Sequence, residues 1–208
     1  MVILKNLKKI FSCEPEVVFI GPMKQSFPLN QIEALPTIFI DGGSKHIKSN
    51  DDIIIIGDGD SCSKKYLNQI TNQLPSEKEY SDLSYALSMI TSKQRTIYLN
   101  GFLDGRLDHE IINFGEAYST AKKFPKLTIH FSDKISIYPH GINDLIFSGV
   151  FSIITFDEQK ISIEGDIKYP VLNRYFMPLS SLGLSNEAKG ALRITSEQPY
   201  LLIRSGGE

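Results

Sequence analysis

The stretch IIIIGDGDS, Ile53 to Ser61, joins four consecutive isoleucines to a turn of glycine, aspartate and serine. A run this apolar has no hydrophilic side, so it reads as a strand buried on both faces, as in a parallel sheet covered by helices. The strand, taken from Asp52 to Ile56, delivers Asp58 and Asp60 to its carboxyl end, where open α/β sheets bind ligands. Hard oxygen donors on a tight turn suit Mg²⁺, which takes one or two carboxylates together with substrate phosphates. Read alone, the turn also fits two aspartates that only satisfy backbone groups.

Outward from this stretch, the first half alternates apolar runs with helical patterns. Strands are expected at Glu16 to Ile20, Thr37 to Ile40 and Thr96 to Leu99. Helices are expected at Lys64 to Leu74, at Asp82 to Thr91 with Ser81 as its cap, and at Asp108 to Lys123, ended by Phe124-Pro125. The first 35 residues yield one strand and nothing further. From about Leu127 the period changes to short strands. These are Leu127 to Phe131, Lys134 to Tyr138, Asp144 to Ile146, Val150 to Phe156, Lys160 to Glu164, Ala191 to Thr195 and Tyr200 to Arg204, with SGGE as a frayed tail. The fold class is therefore α/β: a Rossmann-like parallel sheet domain over residues 1–125, followed by a smaller all-β sandwich domain over 126–208.

Composition narrows the function. The 208 residues carry 22 basic and 24 acidic side chains, a net charge of −2 with no long block of either sign, so an electrostatic nucleic-acid binder is disfavoured. Two cysteines, Cys13 and Cys62, make neither a disulfide framework nor a four-thiolate zinc site. No run is long enough to cross a bilayer, and the N-terminal MVILKNLKKIF lacks the apolar core of a signal peptide. The expectation is a soluble, cytoplasmic protein with no nucleic-acid or membrane partner. Neither GxxxxGK[ST] nor GxGxxG after a strand is present, so phosphates would be held by other means.

Three more segments bear chemistry. Asp41-Gly42-Gly43, opening DGGSKH after the strand TIFI, would let a ligand come close to the backbone. Glu79 and Asp82, in EKEYSD, stand at the mouth of a helix, where carboxylates also complement its dipole. In GFLDGRLDHEIIN, Arg106, Asp108 and His109 fall at a helix start that suits an anion. Each has a bland reading as a turn or a cap. If Asp58, Asp60, Glu79, Asp82 and Asp108 converge, however, each pair of charges about 4 Å apart repels by roughly 4 kcal/mol at an effective dielectric near 20. A divalent cation is the simplest compensation, with Arg106 on phosphate. No two of His46, His109 and His140 have metal-ligand spacing on one helix, so zinc is not expected.

In order and spacing, these motifs resemble those of thiamin pyrophosphokinases: Asp41 to Gly43, Asp58 to Ser61, Lys78 to Asp82, Gly105 to His109 and Gly183 to Glu187, with Phe151 to Phe156 and Ile163 to Val171 similar to the β-domain. The resemblance implies an α/β catalytic domain and a β-sandwich acting as a homodimer, with the site near the subunit interface. It implies transfer of the pyrophosphoryl group of ATP to the hydroxyl of thiamin with Mg²⁺, releasing AMP. Carried over, Asp58, Asp60, Glu79 and Asp82 are metal ligands. Asp58, Asp60, Asp82, Arg106 and Asp108 are catalytic, with Asp82 or Asp108 as base. Asp41, Gly42, Gly43, Ser61, Lys78, Glu79, His109, Ser185 and Asn186 bind substrate, the last two in the thiamin site. The chain departs from the family at Glu79 and Ser81, where Asp and Thr are usual, at Gly59 in place of an aromatic, and in having no Trp. Tyr80, Tyr169 or another aromatic would then replace the indole that some members stack on thiamin. A pyrophosphokinase for another alcohol, such as a hydroxymethyl-pterin, and a catalytically silent relative that binds nucleotide or thiamin diphosphate are the alternatives.

Overall fold

The computed structural model describes residues 2–27, 29–48 and 53–205. Its contacts divide the chain into two compact units, residues 1–120 with 129–133, and residues 121–128 with 134–208.

The first unit is a parallel sheet. Strands β1 (Glu16–Ile20), β2 (Thr37–Ile40), β3 (Ile55–Gly57) and β4 (Asn72–Gln73) pair in succession, and β5 (Thr96–Asn100) pairs with the other side of β1. Beyond β5 lies β6 (Thr128–His130). The chain thus steps from β1 towards β4 and then returns to the far side of β1, a topological switch point where the carboxyl ends of β1 and β5 open a crevice. The helices are α1 (Val2–Cys13), the single turn α2 (Leu29–Ile32), α3 (Asp82–Ser88) and α4 (Leu107–Lys123). Val17, Phe19, Ile38 and Ile56 are as buried as Val18, Phe39 and Ile55 on the alternate positions, as expected of strands covered on both faces. Val18, Ile20, Phe39 and Ile55 share one core cluster with Phe27 and Tyr66.

Several expectations shift. The N-terminal segment is a helix, with Leu7 and Phe11 one turn apart, both buried, and Phe11 edge-on to Phe19. The strand expected from Asp52 starts at Ile55; Asp52 itself lies outside the described residues. The helix expected at Lys64 to Leu74 is a short 3₁₀ segment, Lys64–Gln69, followed by β4. The N–H groups of Thr71 and Leu74 donate to Ile55 and Gly57, so the edge of β3 satisfies backbone that a helix would have paired internally. Ser81 caps α3 by accepting from the Ser84 N–H at 2.9 Å, and α3 stops three residues early, where Gln94 Oε1 takes the Thr91 N–H.

The second unit is antiparallel. Strands β7 (Ile135–Tyr138), β8 (Gly141–Ile154), β9 (Gln159–Ile167), β10 (Val171–Phe176), β11 (Asn186–Ser196) and β12 (Tyr200–Ser205) are hydrogen-bonded in the order β10-β9-β11-β8-β12-β7. Where two sheets were expected, these six strands are one bonded sheet, and Phe151, Ile161, Phe176, Ile194 and Tyr200 from five of them share one core. The two strands expected on either side of Ser148-Gly149 are the single β8. Gly149 has a φ of 116°, which glycine adopts without leaving the ladder, and it still pairs with Ala188. The unforeseen β10 follows Pro170 and contains Asn173 at φ 47° within a bulge, which breaks the alternation that would have announced a strand. Of the expected tail, Ser205 ends β12 and the last three residues lie outside the described ones.

Candidate active site

The site is built from loops at the carboxyl ends of the parallel strands. After β2 the chain tightens into a 3₁₀ segment, Asp41–His46, and Asp41 takes a left-handed φ of 40°. That conformation costs a non-glycine residue on the order of 1 kcal/mol and needs repayment by its surroundings. The repayment is specific. Asp41 Oδ1 accepts the Gly59 N–H and Oδ2 the Ser61 N–H, both at 3.0 Å, and Ser44 Oγ accepts the Ser63 N–H at 2.8 Å. The DGGS segment therefore fixes the shape of the GDGDS turn. A Cβ on Gly43 would overlap the Ile20 carbonyl oxygen, so this glycine serves chain packing, whereas Gly42 faces the cleft.

Within the turn, Asp58 Oδ1 accepts the Asp60 N–H at 3.1 Å and Oδ2 accepts from Lys78 Nζ at 2.5 Å. The ammonium also lies 3.1 Å from Asp82 Oδ1, at the start of α3. This second contact is an ion pair without hydrogen-bond alignment, since that oxygen is buried with no hydrogen-bond partner. The side chains of Lys78, Asp58 and Asp82 are 8, 10 and 16% exposed, so this is a nearly dry charge cluster. Oxygens of Asp41, Asp58 and Asp82 all lie within 4.8 Å of one another.

The titrations follow from this packing. Burial, with Asp60 and Asp82 adding to it, pushes the Asp41 carboxyl up to about 6 against the donation from Ser61 and Gly59. Burial also raises Asp82, outweighing Lys78. The Lys78 hydrogen bond holds Asp58 below the usual range. Burial works against the charge on Lys78, but Asp58 and Asp82 together raise it.

A cleft of about 480 Å³ is lined by Asp41, Asp58, Asp60, Ser61, Lys78 and Asp82, together with Pro22, Met23, Gly101, Phe102, Arg106 and His109. Hard carboxylate oxygens this close fit a divalent cation such as Mg²⁺, with Lys78 offsetting part of their charge.

Residues 32–129 match the family described as thiamin pyrophosphokinase, catalytic domain, a span that contains the acidic cluster. Nothing among curated proteins matches the chain. Solved structures share its fold at low identity. Thiamin pyrophosphokinase from Candida albicans is 16% identical, covers 91% of each chain and superposes with a TM-score of 0.72. Thiamine pyrophosphokinase from Bacillus subtilis is 21% identical over 93% of this chain and 100% of its own, with a TM-score of 0.69. The yeast enzyme is 14% identical over 96% and 88%, with a TM-score of 0.65.

The expected residues separate. Asp58 and Asp82 meet, and Asp60 lines the cleft beside them. Glu79 points to solvent and does not line the cleft, so the described cluster gains Asp41 where Glu79 was expected. The alternation is local: Lys78 and Asp82, four residues apart, turn inward and leave Glu79 outside. Arg106 forms a two-pronged pair with Asp108, Nε to Oδ1 at 3.1 Å and Nη2 to Oδ2 at 2.6 Å, both exposed. The Arg106 guanidinium beside it lowers the Asp108 carboxyl. Ser185 and Asn186 belong to the second unit, Ser185 exposed and Asn186 buried. Tyr80 lines the cleft and stacks on Tyr85 with centroids 6.0 Å apart. The wall of Pro22, Met23 and Phe102 was not foreseen. Its signal is Gly-Pro directly after β1 and Asn-Gly after β5, the two strands that flank the switch point.

Proposed function

We propose that the chain is a thiamin pyrophosphokinase working on ATP and Mg²⁺, with thiamin as acceptor, and that its Rossmann-like half carries catalysis while its β half contributes to the acceptor site. The observation that carries the reading is the buried Asp41–Asp58–Lys78–Asp82 cluster at the carboxyl edge of a parallel sheet. In the reaction the thiamin hydroxyl oxygen attacks the β-phosphorus, the bond from that phosphorus to the α–β bridging oxygen breaks, and AMP departs with that oxygen. The hydroxyl proton passes to a carboxylate. Asp82 or Asp108 would take it: burial raises the proton affinity of Asp82 in the metal-free cluster, and Arg106 lowers that of Asp108.

Asp58 and Asp82, with Asp60 beside them, would hold Mg²⁺, which supplies charge neutralisation to the phosphates when bound. Lys78 orients Asp58 and Asp82, Asp41 keeps the turn in shape, and Arg106 can exchange its exposed contact with Asp108 for a phosphate. Ser185 and Tyr169 belong to the acceptor side, Tyr169 in place of the absent indole. Homodimerisation draws support from the outer face of β8, where Ile142, Ile146 and Val150 are exposed, Ile146 at 84%. A cytoplasmic enzyme without a nucleic-acid partner accords with the near-neutral charge, and no helix among the described residues is long and apolar enough to cross a membrane.

The test is incubation with ATP, Mg²⁺ and thiamin. Equal amounts of AMP and thiamin diphosphate are expected. AMP formed with a hydroxymethyl-pterin and none with thiamin would move the assignment to another acceptor, and ATP binding without turnover would make the chain a silent relative.

A further inference from the structure

We propose that Asn186 is a positioning residue that fixes Tyr169 and does not itself touch the acceptor, an inference that rests on the second unit supplying part of the acceptor site. The side chain is 6% exposed, and both lone pairs of its oxygen and one of its two N–H groups are committed. Oδ1 accepts the Tyr169 N–H at 3.1 Å and the Glu187 N–H at 2.8 Å, and Nδ2 donates to the Tyr169 carbonyl at 2.8 Å. A carboxamide oxygen has two lone pairs, so Oδ1 has none left for a ligand.

The need for such a clamp follows from the local chain. The ladder of β9 with β11 reaches Ile167 opposite Ala188, and one more backbone bond joins the Lys168 N–H to the Glu187 carbonyl. Beyond that point Tyr169 would be an unpaired residue in front of Pro170, which supplies no N–H. Asn186 stands in for the missing strand, pairing both the N–H and the C=O of Tyr169. Its own position is set by Ser185, which turns the chain at φ 58° and donates its N–H to Ser152 Oγ at 3.1 Å.

The result is a presented aromatic. The Tyr169 side chain belongs to a residue 57% exposed, with Lys168 Nζ 5.4 Å from the ring centroid and held by Glu187 Oε2 at 3.4 Å. Without Asn186 the backbone beneath that ring loses two of its anchors. Ser185, exposed beside it, keeps the contacting role expected of the Ser-Asn pair.

The experiment compares the wild type with Asn186→Ala, Asn186→Asp, Tyr169→Ala and the Asn186→Ala/Tyr169→Ala double variant. Amide exchange at Tyr169 needs no turnover: Asn186→Ala should speed it by about tenfold, the scale of one lost hydrogen bond, while Asn186→Asp, which keeps an oxygen to accept the Tyr169 N–H but loses the Nδ2 donor to the Tyr169 carbonyl, should fall between wild type and the alanine variant. For thiamin KM, each alanine variant should show a rise of about tenfold with the ATP KM unchanged, and the double variant should be no worse than Tyr169→Ala. Unchanged Tyr169 exchange in Asn186→Ala would overturn the proposal, as would a double variant whose KM rise is the product of the single effects. Absence of thiamin turnover in the wild type would fail the enzymatic reading alone, with the exchange result still deciding the clamp.

Discussion

Replacing Lys78 with methionine keeps the unbranched apolar stem of the side chain and removes the cation from between Asp58 and Asp82. The ammonium now lies 2.5 Å from Asp58 Oδ2 and 3.1 Å from Asp82 Oδ1, all three side chains being mostly buried. Removing one partner from a buried ion pair costs about 3–5 kcal/mol. A second route gives a similar figure: two carboxylates no more than 4.8 Å apart repel by at least about 3.5 kcal/mol at an effective dielectric near 20. A proton offers partial escape, because Asp41 titrates near 6 and protonating it at pH 7 costs only about 1.4 kcal/mol. We therefore expect Lys78→Met to lose about 3 kcal/mol of stability at pH 7.5 without Mg²⁺, and less at pH 5.5. Mg²⁺ at a hundred times its dissociation constant should return about 2.7 kcal/mol. The assay is urea unfolding with and without Mg²⁺, read at the amides of β3 so that the first unit is followed by itself. A loss below about 1 kcal/mol, or no response to Mg²⁺, would refute the claim that Lys78 offsets carboxylates gathered for a divalent cation.

The Asp60→Asn substitution should lower turnover by at least about a hundredfold, the scale for losing one electrostatic stabiliser, and unchanged steady-state kinetics would remove Asp60 from the machinery. Metal-free stability should fall as pH rises from about 4 to 6. Asp41 is raised from 3.8 to about 6, so the folded state binds its proton more tightly, and the stability this gives is full below 3.8 and lost through 6, an effect of about 3 kcal/mol. Asp82, also raised, acts in the same direction, and Asp58, lowered, acts oppositely only below 3.8. Unfolding measured at pH 4.5 and 6.5 in wild type and Asp41→Asn should show the slope in the first and a smaller one, left by Asp82, in the second. Gly43→Ala should destabilise the first unit by at least about 2 kcal/mol, because its Cβ would overlap the backbone oxygen of Ile20; a melting temperature equal to wild type would contradict that packing.

Much of this was legible from residues alone because the parallel strands are buried on both faces. Continuous apolar runs such as Ile53 to Ile56 cannot be surface, and glycine and aspartate directly after them mark the carboxyl edge. The helical stripe of Leu83, Ala86 and Leu87 and the cap at Ser81 were equally direct. What escaped was set by tertiary hydrogen bonding. Asn72 and Gln73 become strand because β3 has an open edge, and Gly149 remains in β8 because its positive φ costs glycine little. In the site, the spacing of Lys78, Glu79 and Asp82 does not say which carboxylate turns inward. The ion pair from Lys78 to Asp82 decides this and leaves Glu79 in solvent. Likewise, Asn186 could be named as a site residue from its motif, but its three bonds to backbone became visible only once β9 and β11 were paired.

Pyrophosphoryl transfer from ATP to thiamin can be followed by ³¹P NMR of a single reaction with ATP, Mg²⁺ and thiamin. AMP and thiamin diphosphate should form in equal amounts, with no ADP, as expected when the β-phosphorus is attacked. ADP with thiamin monophosphate, or no phosphorus product formed with thiamin at all, would contradict it.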